Sequence, residues 1–307
     1  MKKAPVHISF SGELYYHQQM NTTQLSCIHT HTLFCDGRHD VETMCQSAFS
    51  KGLCAIGFSS HAPVFKQTGF KTDWHLPEEK LDEYVTEILA ARRRWQGKLA
   101  VYLGLELDYI KGLRSAQDSD IKALNPDYII GAVHYIVPPK GEPFTLDDAA
   151  EEFEKGFKEG FNGDIEALLD MYWQEVAEMI ALGGIDILGH ADLYKINYKG
   201  NNLKNEAAHV REIARAAAQA GIAVEVNTGG LNRGRAGHTF PCASLLRIFR
   251  EQNVPAIITA DAHCCTDVNG NYDIALKTLA EAGYTEHFLL ELKENGEKSW
   301  RSQKINY

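Results

Sequence analysis

The chain has 307 residues, of which 44% are hydrophobic and 23% are charged, as is typical of a folded globular protein. Its formal charge of −10 argues against a general binder of nucleic acid or of anionic membranes, because such proteins need a basic surface. No segment approaches the roughly 18 apolar residues of a membrane-spanning helix. The seven scattered cysteines and the N-terminal sequence are not typical of a secreted, disulfide-linked protein, so we expect a reduced protein in the cytoplasm.

Alternating strand and helix patterns run through most of the chain. Residues 1–23 are predicted to form an N-terminal extension, and residues 24–307 a single domain, because no linker or change of composition divides them. Seven strands are predicted at residues 24–30, 54–58, 99–107, 128–133, 185–188, 222–226 and 254–259. Helices are predicted at residues 41–51, 77–95, 164–182, 207–220, 241–252 and 274–282.

Two segments depart from this alternation. Residues 138–163 combine Pro, Gly and acidic residues with a short helical pattern over 149–157, and we expect them to form a loop insertion over the functional site. The glycine-rich stretch 228–234 is expected to be a loop after the sixth strand. The segment after residue 282 has no clear pattern.

The order of the elements limits the architecture. Strict alternation of strands and helices implies a parallel sheet with right-handed crossovers. Seven such units fit either an open doubly wound sheet or a closed barrel. The barrel is favoured, because residues of metal-ligating types lie at or just beyond the carboxyl ends of six strands, where barrel enzymes assemble their sites.

The first predicted strand carries a candidate metal-binding pair. Strand alternation places His29 and His31 on one face and Thr30 on the other, so the two imidazoles could bind one metal ion. Asp36 follows after a turn. A mixture of imidazole nitrogen and carboxylate oxygen suits zinc, iron or manganese better than calcium.

Further residues of the same kind recur at the ends of later strands. One such histidine alone would more often be an ordinary buried residue, but nine ligand-type residues at repeating strand ends indicate a metal cluster. The complete set is His29, His31, Asp36, His61, Glu106, His134, His190, Asp261 and His263. The remaining histidines, including His75, His209 and His287, are expected to have structural roles; His39 and His238, on site-facing loops, are the first exceptions to examine.

Seven short motifs, in this order, resemble one known superfamily. They are His-x-His-Thr with a nearby Asp-Gly, Ser-His-Ala-Pro, Gly-Leu-Glu-x-Asp-Tyr, Gly-x-Val-His-Tyr, Leu-Gly-His-x-Asp, Glu-Val-Asn-Thr-x-Gly-Leu and Asp-Ala-His. Together they resemble the polymerase-and-histidinol-phosphatase (PHP) superfamily, and within it the histidinol-phosphatase branch. The similarity runs from about residue 24 to residue 282.

This resemblance implies a distorted (β/α)7 barrel that holds up to three divalent metal ions, with zinc, iron and manganese all compatible. The ligands carried over are His29, His31, Glu106 and Asp261 for the first metal, Glu106, His134 and His190 for the second, and Asp36, His61 and His263 for the third. Many relatives have Asp-His where this chain has Ser60-His61. That difference removes an outer carboxylate from the third site, and such outer partners orient ligating imidazoles.

The implied activity is hydrolysis of a small phosphomonoester, L-histidinol phosphate, by a metal-activated hydroxide, in histidine biosynthesis. Alternatives on the same scaffold are another small phosphomonoester or a nucleotide phosphodiester. A metal-binding module without turnover is a different class of alternative, and intact ligand positions argue against it. The expected partner is a small phosphorylated substrate, with no membrane and no long nucleic acid.

Several polar residues are candidates for roles beside the metals. Asp192 is the candidate general acid, with a structural role as the alternative. Lys195 and Arg233 could bind phosphate oxygens or could be solvated surface residues. Glu225 and Asn227 could receive a substrate ammonium group or could serve only the hydrogen bonds of the sixth strand.

Overall fold

Seven parallel strands form the central sheet. The computed structural model describes residues 23–64, 73–200, 203–293 and 296–305, so residues 1–22 of the predicted N-terminal extension lie outside the described residues. The strands are β1 Ser26–Cys27, β2 Ala55–Phe58, β3 Ala100–Asp108, β4 Tyr128–Ala132, β5 Tyr135–Ile136, β6 Phe144–Thr145, β7 Ile187–Leu188, β8 Ala223–Asn227, β9 Ala256–Thr259, β10 Glu286–Leu292 and β11 Lys298–Lys304. The central sheet has the order β1-β2-β3-β4-β7-β8-β9, and every neighbouring pair in it is parallel.

The two outer strands of this sheet approach each other. Thr30 pairs in parallel with Ala262. His31 donates its backbone N–H to the carbonyl of Ala262 at 2.9 Å, and Ala262 donates to the carbonyl of His29 at 3.0 Å. The sheet is therefore a nearly closed seven-stranded barrel, which confirms the predicted barrel over the doubly wound sheet.

Helices follow most of the strands. They are α1 Val41–Ser50, α2 Leu81–Trp95, α3 Ser119–Leu124, α4 Ala150–Phe161, α5 Ile165–Leu182, α6 Glu206–Ala220, α7 Gly229–Asn232, α8 Ala243–Glu251 and α9 Tyr272–Glu281. The six long predicted helices are all present. Asp40 caps α1 by accepting the backbone N–H of Thr43 at 2.7 Å, which satisfies a donor that the helix itself cannot pair. The stretch 228–234 is not simply a loop, because it contains the one-turn helix α7.

One aromatic side chain fills much of the barrel interior. Tyr128, the first residue of β4, is fully buried and donates its hydroxyl to the carbonyl of Ile28 at 2.5 Å. A Cβ at Gly57 would lie 2.4 Å from the Tyr128 hydroxyl, and a Cβ at Gly104 would lie 2.3 Å from the ring. The glycines of β2 and β3 therefore make room for this ring.

A C-terminal hairpin closes the amino-terminal end of the barrel. Strands β10 and β11 pair antiparallel, and Leu290 packs with interior residues of the barrel, several of which begin a strand. Tyr102 donates its hydroxyl to the carbonyl of Leu290 at 3.2 Å. The segment after residue 282, for which the sequence predicts no clear structure, therefore contains this hairpin.

The insertion between β4 and α5 lies at the opposite end. It contains the small β5–β6 sheet and α4, and Leu146 donates its backbone N–H to the carbonyl of His134 at 2.9 Å. The insertion therefore borders the carboxyl ends of the barrel strands, as predicted. No helix in the described ranges combines the length and apolar character needed to cross a membrane.

Candidate metal centre

The histidine pair of the first strand lies inside the barrel mouth. His29 and His31 are fully buried, and their ring centroids lie 5.3 Å apart. Thr30 faces the other way and donates its hydroxyl to the carbonyl of Gly57 at 2.6 Å. The alternation predicted for this strand is confirmed.

Glu106, near the end of β3, lies at the centre of the site. Its carboxylate is surrounded by five imidazoles from four segments of the chain. From Oε2 the distances are 3.1 Å to His29 Nε2, 3.1 Å to His61 Nδ1 and 3.4 Å to His31 Nε2; from Oε1 they are 2.8 Å to His190 Nε2 and 3.6 Å to His134 Nε2.

Several of these atoms have no hydrogen bond. Among the described residues, His29 Nε2, His31 Nε2, His61 Nδ1 and Glu106 Oε2 are buried without a hydrogen-bond partner. Buried polar atoms are normally bonded, so four converging exceptions need an explanation. Atoms about 3 to 3.5 Å apart have the spacing of neighbouring ligands on one ion with bonds near 2.1 Å. The donor set and its spacing fit divalent metal ions.

The outer part of the site is more open. Asp36 has 32% of its side chain exposed, and its Oδ2 lies 2.9 Å from His263 Nε2. Its Oδ1 lies 3.4 Å from His31 Nδ1 and 3.9 Å from His61 Nε2. Apart from Asp36 and Glu106, no carboxylate of the described residues lies within 4 Å of His61, in line with the outer partner lost at Ser60.

Asp261 completes the inner part. Its Oδ1 lies 3.3 Å from His31 Nε2 and 3.7 Å from His29 Nε2. Its backbone has φ of 47°, an unusual value for a residue with a side chain, and such strain clusters at functional sites. A Cβ at Gly229 would lie 2.5 Å from Asp261 Oδ2, so glycine is required there.

All nine sequence-predicted ligand residues therefore meet at one end of the barrel. Three overlapping groups have ligand atoms close enough to share an ion: His31, Asp36, His61 and His263; His29, His31 and Asp261; and His61, Glu106 and His134. His190 adjoins the third group through Glu106. In this geometry His31 and His61 each belong to two groups, whereas the resemblance assigned each to one metal.

The electrostatics of the cluster favour bound cations. Burial disfavours the imidazolium of His29, but the carboxylates of Glu225, Glu106 and Asp261 outweigh burial and raise its pKa well above the usual value. Burial likewise disfavours ionised Glu106, but the surrounding imidazoles hold its pKa well below the usual range. In the metal-free protein the carboxylates therefore stay ionised beside protonated imidazole, and a divalent ion would displace those protons and supply the positive charge instead.

Glu225 contacts two of the predicted metal ligands, His29 and His190. Its fully buried carboxylate lies 2.9 Å from His29 Nδ1 and accepts the backbone N–H of His190 at 2.6 Å. Thr259 and Asn227 also donate to it, at 2.8 and 2.9 Å. Every near contact is internal, so the structure favours the hydrogen-bonding alternative for Glu225 over binding of a substrate ammonium group.

A second supporting carboxylate was not predicted. Asp108 makes a short contact with His134 Nδ1, and its other oxygen lies 2.6 Å from His75 Nε2. His75, expected to have only a structural role, thus belongs to the outer layer of the site. The signal was the spacing of Glu106 and Asp108, which places both carboxylates on one face of β3.

Asp192 and Lys195 lie beside the cavity but do not line it. Asp192 is fully buried, and its Oδ2 accepts the backbone N–H of Cys242 at 3.2 Å and lies 3.2 Å from Lys195 Nζ. Lys195 also pairs with Glu206 at 2.8 Å. These contacts favour the structural alternative for Asp192, and its role as general acid stays a prediction.

Arg233 does line this cavity. Its Nη2 donates to Asp261 Oδ2 at 3.1 Å, and its Nη1 lies 3.0 Å from His263 Nδ1. The guanidinium is therefore held beside the ligands. His39 and His238, the suggested exceptions, do not join the nine residues: His39 Nδ1 accepts the backbone N–H of Cys265, and the His238 ring packs against Phe240.

A nearly closed parallel barrel with imidazoles and carboxylates at the carboxyl ends of its strands defines a metal-dependent barrel enzyme. Residues 28–229 match the PHP domain family model, and the chain belongs to that family. A probable histidinol-phosphatase of Deinococcus radiodurans is 28% identical over 264 residues, covering 85% of this chain and 95% of the relative.

Two solved structures share the fold. A candidate histidinol phosphatase, hisK of Listeria monocytogenes, aligns with a TM-score of 0.71 at 22% identity, covering 81% of this chain and 98% of that one. Histidinol phosphate phosphatase of Lactococcus lactis, complexed with zinc, L-histidinol and phosphate, aligns with a TM-score of 0.63 at 20% identity, covering 87% and 97%. The predicted superfamily, its histidinol-phosphatase branch, the barrel and the prediction of a metal-dependent hydrolase are confirmed.

Proposed function

We propose that this chain hydrolyses L-histidinol phosphate to L-histidinol and phosphate. The observation that carries the proposal is the Glu106 carboxylate among five imidazoles, with buried ligand atoms that lack hydrogen bonds, directly beside the Arg233 guanidinium. The substrate is supported by the relatives: the Deinococcus protein is named a probable histidinol-phosphatase, and the Lactococcus enzyme binds L-histidinol and phosphate.

We assign the ligands to three divalent ions. His29, His31, Glu106 and Asp261 would hold the first, Glu106, His134 and His190 the second, and Asp36, His61 and His263 the third. Divalent ions bound there would neutralise phosphoryl oxygens and lower the pKa of a coordinated water, and both effects speed phosphomonoester hydrolysis, which is very slow without a catalyst. Zinc, iron and manganese all suit these ligands.

The chain itself orients the phosphate. Arg233 presents a planar guanidinium, which can donate two parallel hydrogen bonds to phosphate oxygens. Asp261 and His263 fix its position, and all three residues line the cavity. A cavity of about 240 Å³ is suited to a small metabolite and not to a polymer, which agrees with the acidic charge of the chain.

Elemental analysis beside phosphate release from L-histidinol phosphate tests this function. Because His190 Nε2 lies 2.8 Å from Glu106, His190→Ala should lower kcat/KM by about 100-fold or more and should lower the metal content, while the fold survives. His209→Ala is the matched control, since His209 lies on the outer helix α6 and pairs with exposed Asp170. It should behave as wild type.

Three results would contradict the proposal. Wild-type activity in His190→Ala would remove this residue from the metal site. Faster hydrolysis of a nucleotide phosphodiester than of L-histidinol phosphate would place the chain with diester-cleaving members of its scaffold. Stoichiometric metal without hydrolysis of any phosphoester would identify a binding module.

A further inference from the structure

A second group of metal-ligating side chains lies next to the candidate metal centre and shares no residue with it. A ring nitrogen of His39 and the sulfurs of Cys264 and Cys265 lie within 4.8 Å of one another. None of the three belongs to the nine predicted ligands. The proposed hydrolysis gives this group no role, and its chemistry differs from that of the nine, because it has two sulfur atoms and no carboxylate.

The two cysteines are adjacent in sequence and are not joined by a disulfide. Consecutive Cα atoms across a trans peptide lie about 3.8 Å apart, whereas a disulfide usually needs about 4.4 to 6.8 Å between them. A bond between neighbouring cysteines is therefore disfavoured, and both sulfurs remain available to a common ligand. Both residues are partly exposed, so an ion can reach them from solvent.

His39 comes from the loop that precedes α1 and faces the cysteines. Its Nδ1 accepts the backbone N–H of Cys265 at 3.2 Å, so a lone pair of the ring points to the cysteine segment. This distance is at the long end of the range for a hydrogen bond. A cation held by the sulfurs would take the lone pair in place of this weak bond.

Hydrogen bonds fix the two segments that supply these ligands. Arg38 donates its backbone N–H to the carbonyl of His263 at 2.8 Å and so joins the two segments. Ser47 of α1 donates its hydroxyl to the carbonyl of Cys265 at 2.5 Å. The ligand atoms are therefore brought together before an ion binds, which lowers the cost of ordering them.

The donor set selects a thiophilic cation. Soft thiolate ligands favour zinc or cuprous copper, whereas manganese prefers carboxylate oxygen. Two cysteines, one histidine and a water molecule complete a tetrahedral zinc site, in which bonds of about 2.0 to 2.3 Å place the ligand atoms about 3.5 to 3.8 Å apart. Small side-chain rotations suffice to reach this spacing from atoms that already lie within 4.8 Å.

We propose that His39, Cys264 and Cys265 form a thiolate–imidazole site for zinc, separate from the nine predicted ligands. The two thiol protons pass to solvent when the ion binds. A bound ion would tie together two segments that also carry Asp36 and His263, which are predicted ligands of the neighbouring cluster. The proposal does not depend on which phosphoester the protein hydrolyses.

Titration of the manganese-loaded protein with cadmium tests this site. Cadmium bound to thiolate gives an ultraviolet charge-transfer band, whereas cadmium exchanged into carboxylate and imidazole ligands does not. Wild type should bind one cadmium ion with this band, and added zinc should abolish it. Alkylation followed by mass spectrometry should show Cys264 and Cys265 protected by the ion.

Single variants measure the contribution of each ligand. Loss of an outer partner of a ligand costs about 10- to 100-fold in metal affinity, so Cys264→Ser, Cys265→Ser and His39→Ala should each weaken cadmium binding at least about 10-fold. At saturation His39→Ala should keep the intensity of the band, because both thiolates remain. Cys54→Ser is the matched control and should behave as wild type, because Cys54 is also partly exposed but directly precedes β2, at the other end of the barrel.

Several results would overturn the thiolate site. One is the absence of a band in wild type, and another is an unchanged band in the double variant Cys264→Ser/Cys265→Ser. Loss of the band in Cys35→Ser would place the cadmium in the predicted cluster, since Cys35 Sγ lies 3.5 Å from His31 Nδ1. Unchanged affinity in His39→Ala would exclude the imidazole as a ligand.

Manganese content separates this site from the cluster and from the proposed function. It should stay at the wild-type level in every variant, which shows that a lost band does not reflect a lost fold. A fall in manganese content in the double variant would overturn the separation of the two sites. Failure to hydrolyse L-histidinol phosphate would contradict the proposed function and leave the cadmium results unaffected.

Discussion

The two ends of the barrel are built from the same strands but present opposite kinds of side chain. At the carboxyl end, Glu106 and five imidazoles converge, and four of their buried atoms lack hydrogen bonds among the described residues. At the amino-terminal end, apolar side chains surround Tyr128, whose hydroxyl is paired with Ile28, and the β10–β11 hairpin closes the opening. The carboxyl end therefore has polar groups available to a ligand, whereas the amino-terminal end is packed with side chains.

Because of this difference, a single strand contains residues that serve the metal centre and residues that stabilise the fold. In β3, Tyr102 near the start contacts the hairpin, Gly104 lies beside the Tyr128 ring, and Glu106 and Asp108 at the end lie in the metal centre. Buried atoms without partners lower stability, so they persist where a bound ion completes them. Substitutions within a few residues on one strand should therefore have different effects.

The largest effect is expected at the carboxyl end. Glu106→Gln keeps the shape of the side chain but removes the charge that five imidazoles share, so kcat/KM should fall by about 1,000-fold and metal content should drop. Phosphate release and elemental analysis measure both quantities. Glu178→Gln, which changes a partly exposed carboxylate on α5, is the control.

If Glu106→Gln keeps its full metal content, the assignment of Glu106 as a metal ligand is wrong. The imidazoles that hold the pKa of Glu106 below its usual range also stabilise its ionised form in the folded protein, so the metal-free variant should be less stable than the metal-free wild type. Chemical denaturation of the two metal-free proteins measures this change.

The sequence predicted the carboxyl end well. Metal ligands must be of a few residue types, and parallel strands bring their carboxyl ends together, so His29, Glu106 and Asp261 could be assigned to one place without coordinates. Asp192, the candidate general acid, shows what the sequence does not give. It lies two residues past His190, but its carboxylate turns away toward Lys195 and the backbone of Cys242, and sequence spacing does not give that direction.

The amino-terminal end could not be predicted. The fit of Tyr128 against Gly57 and Gly104 joins residues far apart in sequence by shape alone, and no short motif records such a fit. The β10–β11 hairpin was missed because its strands mix charged and apolar residues without clear alternation. His75 was missed for a different reason: its partner Asp108 lies on another element, and the sequence alone does not show that contact.

An intermediate effect is expected from filling the space beside Tyr128. Gly104→Ala places a Cβ 2.3 Å from the Tyr128 ring, so the free energy of unfolding should fall by about 3 kcal/mol. Chemical denaturation measures this change. In folded protein, metal content and kcat/KM should stay near wild type, because the added methyl group lies toward the apolar end.

Gly237→Ala is the matched control for Gly104→Ala. Nothing lies within 4 Å of a Cβ at Gly237, and its backbone is not in the left-handed region, so the free energy of unfolding should change little. Equal destabilisation by the two substitutions would mean that packing against Tyr128 is not the cause. Loss of metal from folded Gly104→Ala would show that the two ends are coupled.

The smallest effect concerns the one histidine of the hairpin. His287 in β10 is buried, and burial lowers the pKa of its imidazole to about 4. Below pH 6.5 the unfolded chain takes up a proton that folded His287 does not, so wild-type stability should decrease as the pH falls from 6.5 toward 4. At pH 5 this contribution amounts to about 2 kcal/mol.

His287→Phe removes this titration while keeping a flat ring in the hairpin. The difference in unfolding free energy between variant and wild type should therefore shift in favour of the variant by about 2 kcal/mol between pH 7 and pH 5, whatever its value at pH 7. Any cost of fitting the larger ring is independent of pH and drops out of this comparison. Phe288→Leu changes the neighbouring ring of β10 without removing a titrating group, so it should show no such shift. An equal shift in both variants would assign the acid sensitivity to the packing of the hairpin and not to His287.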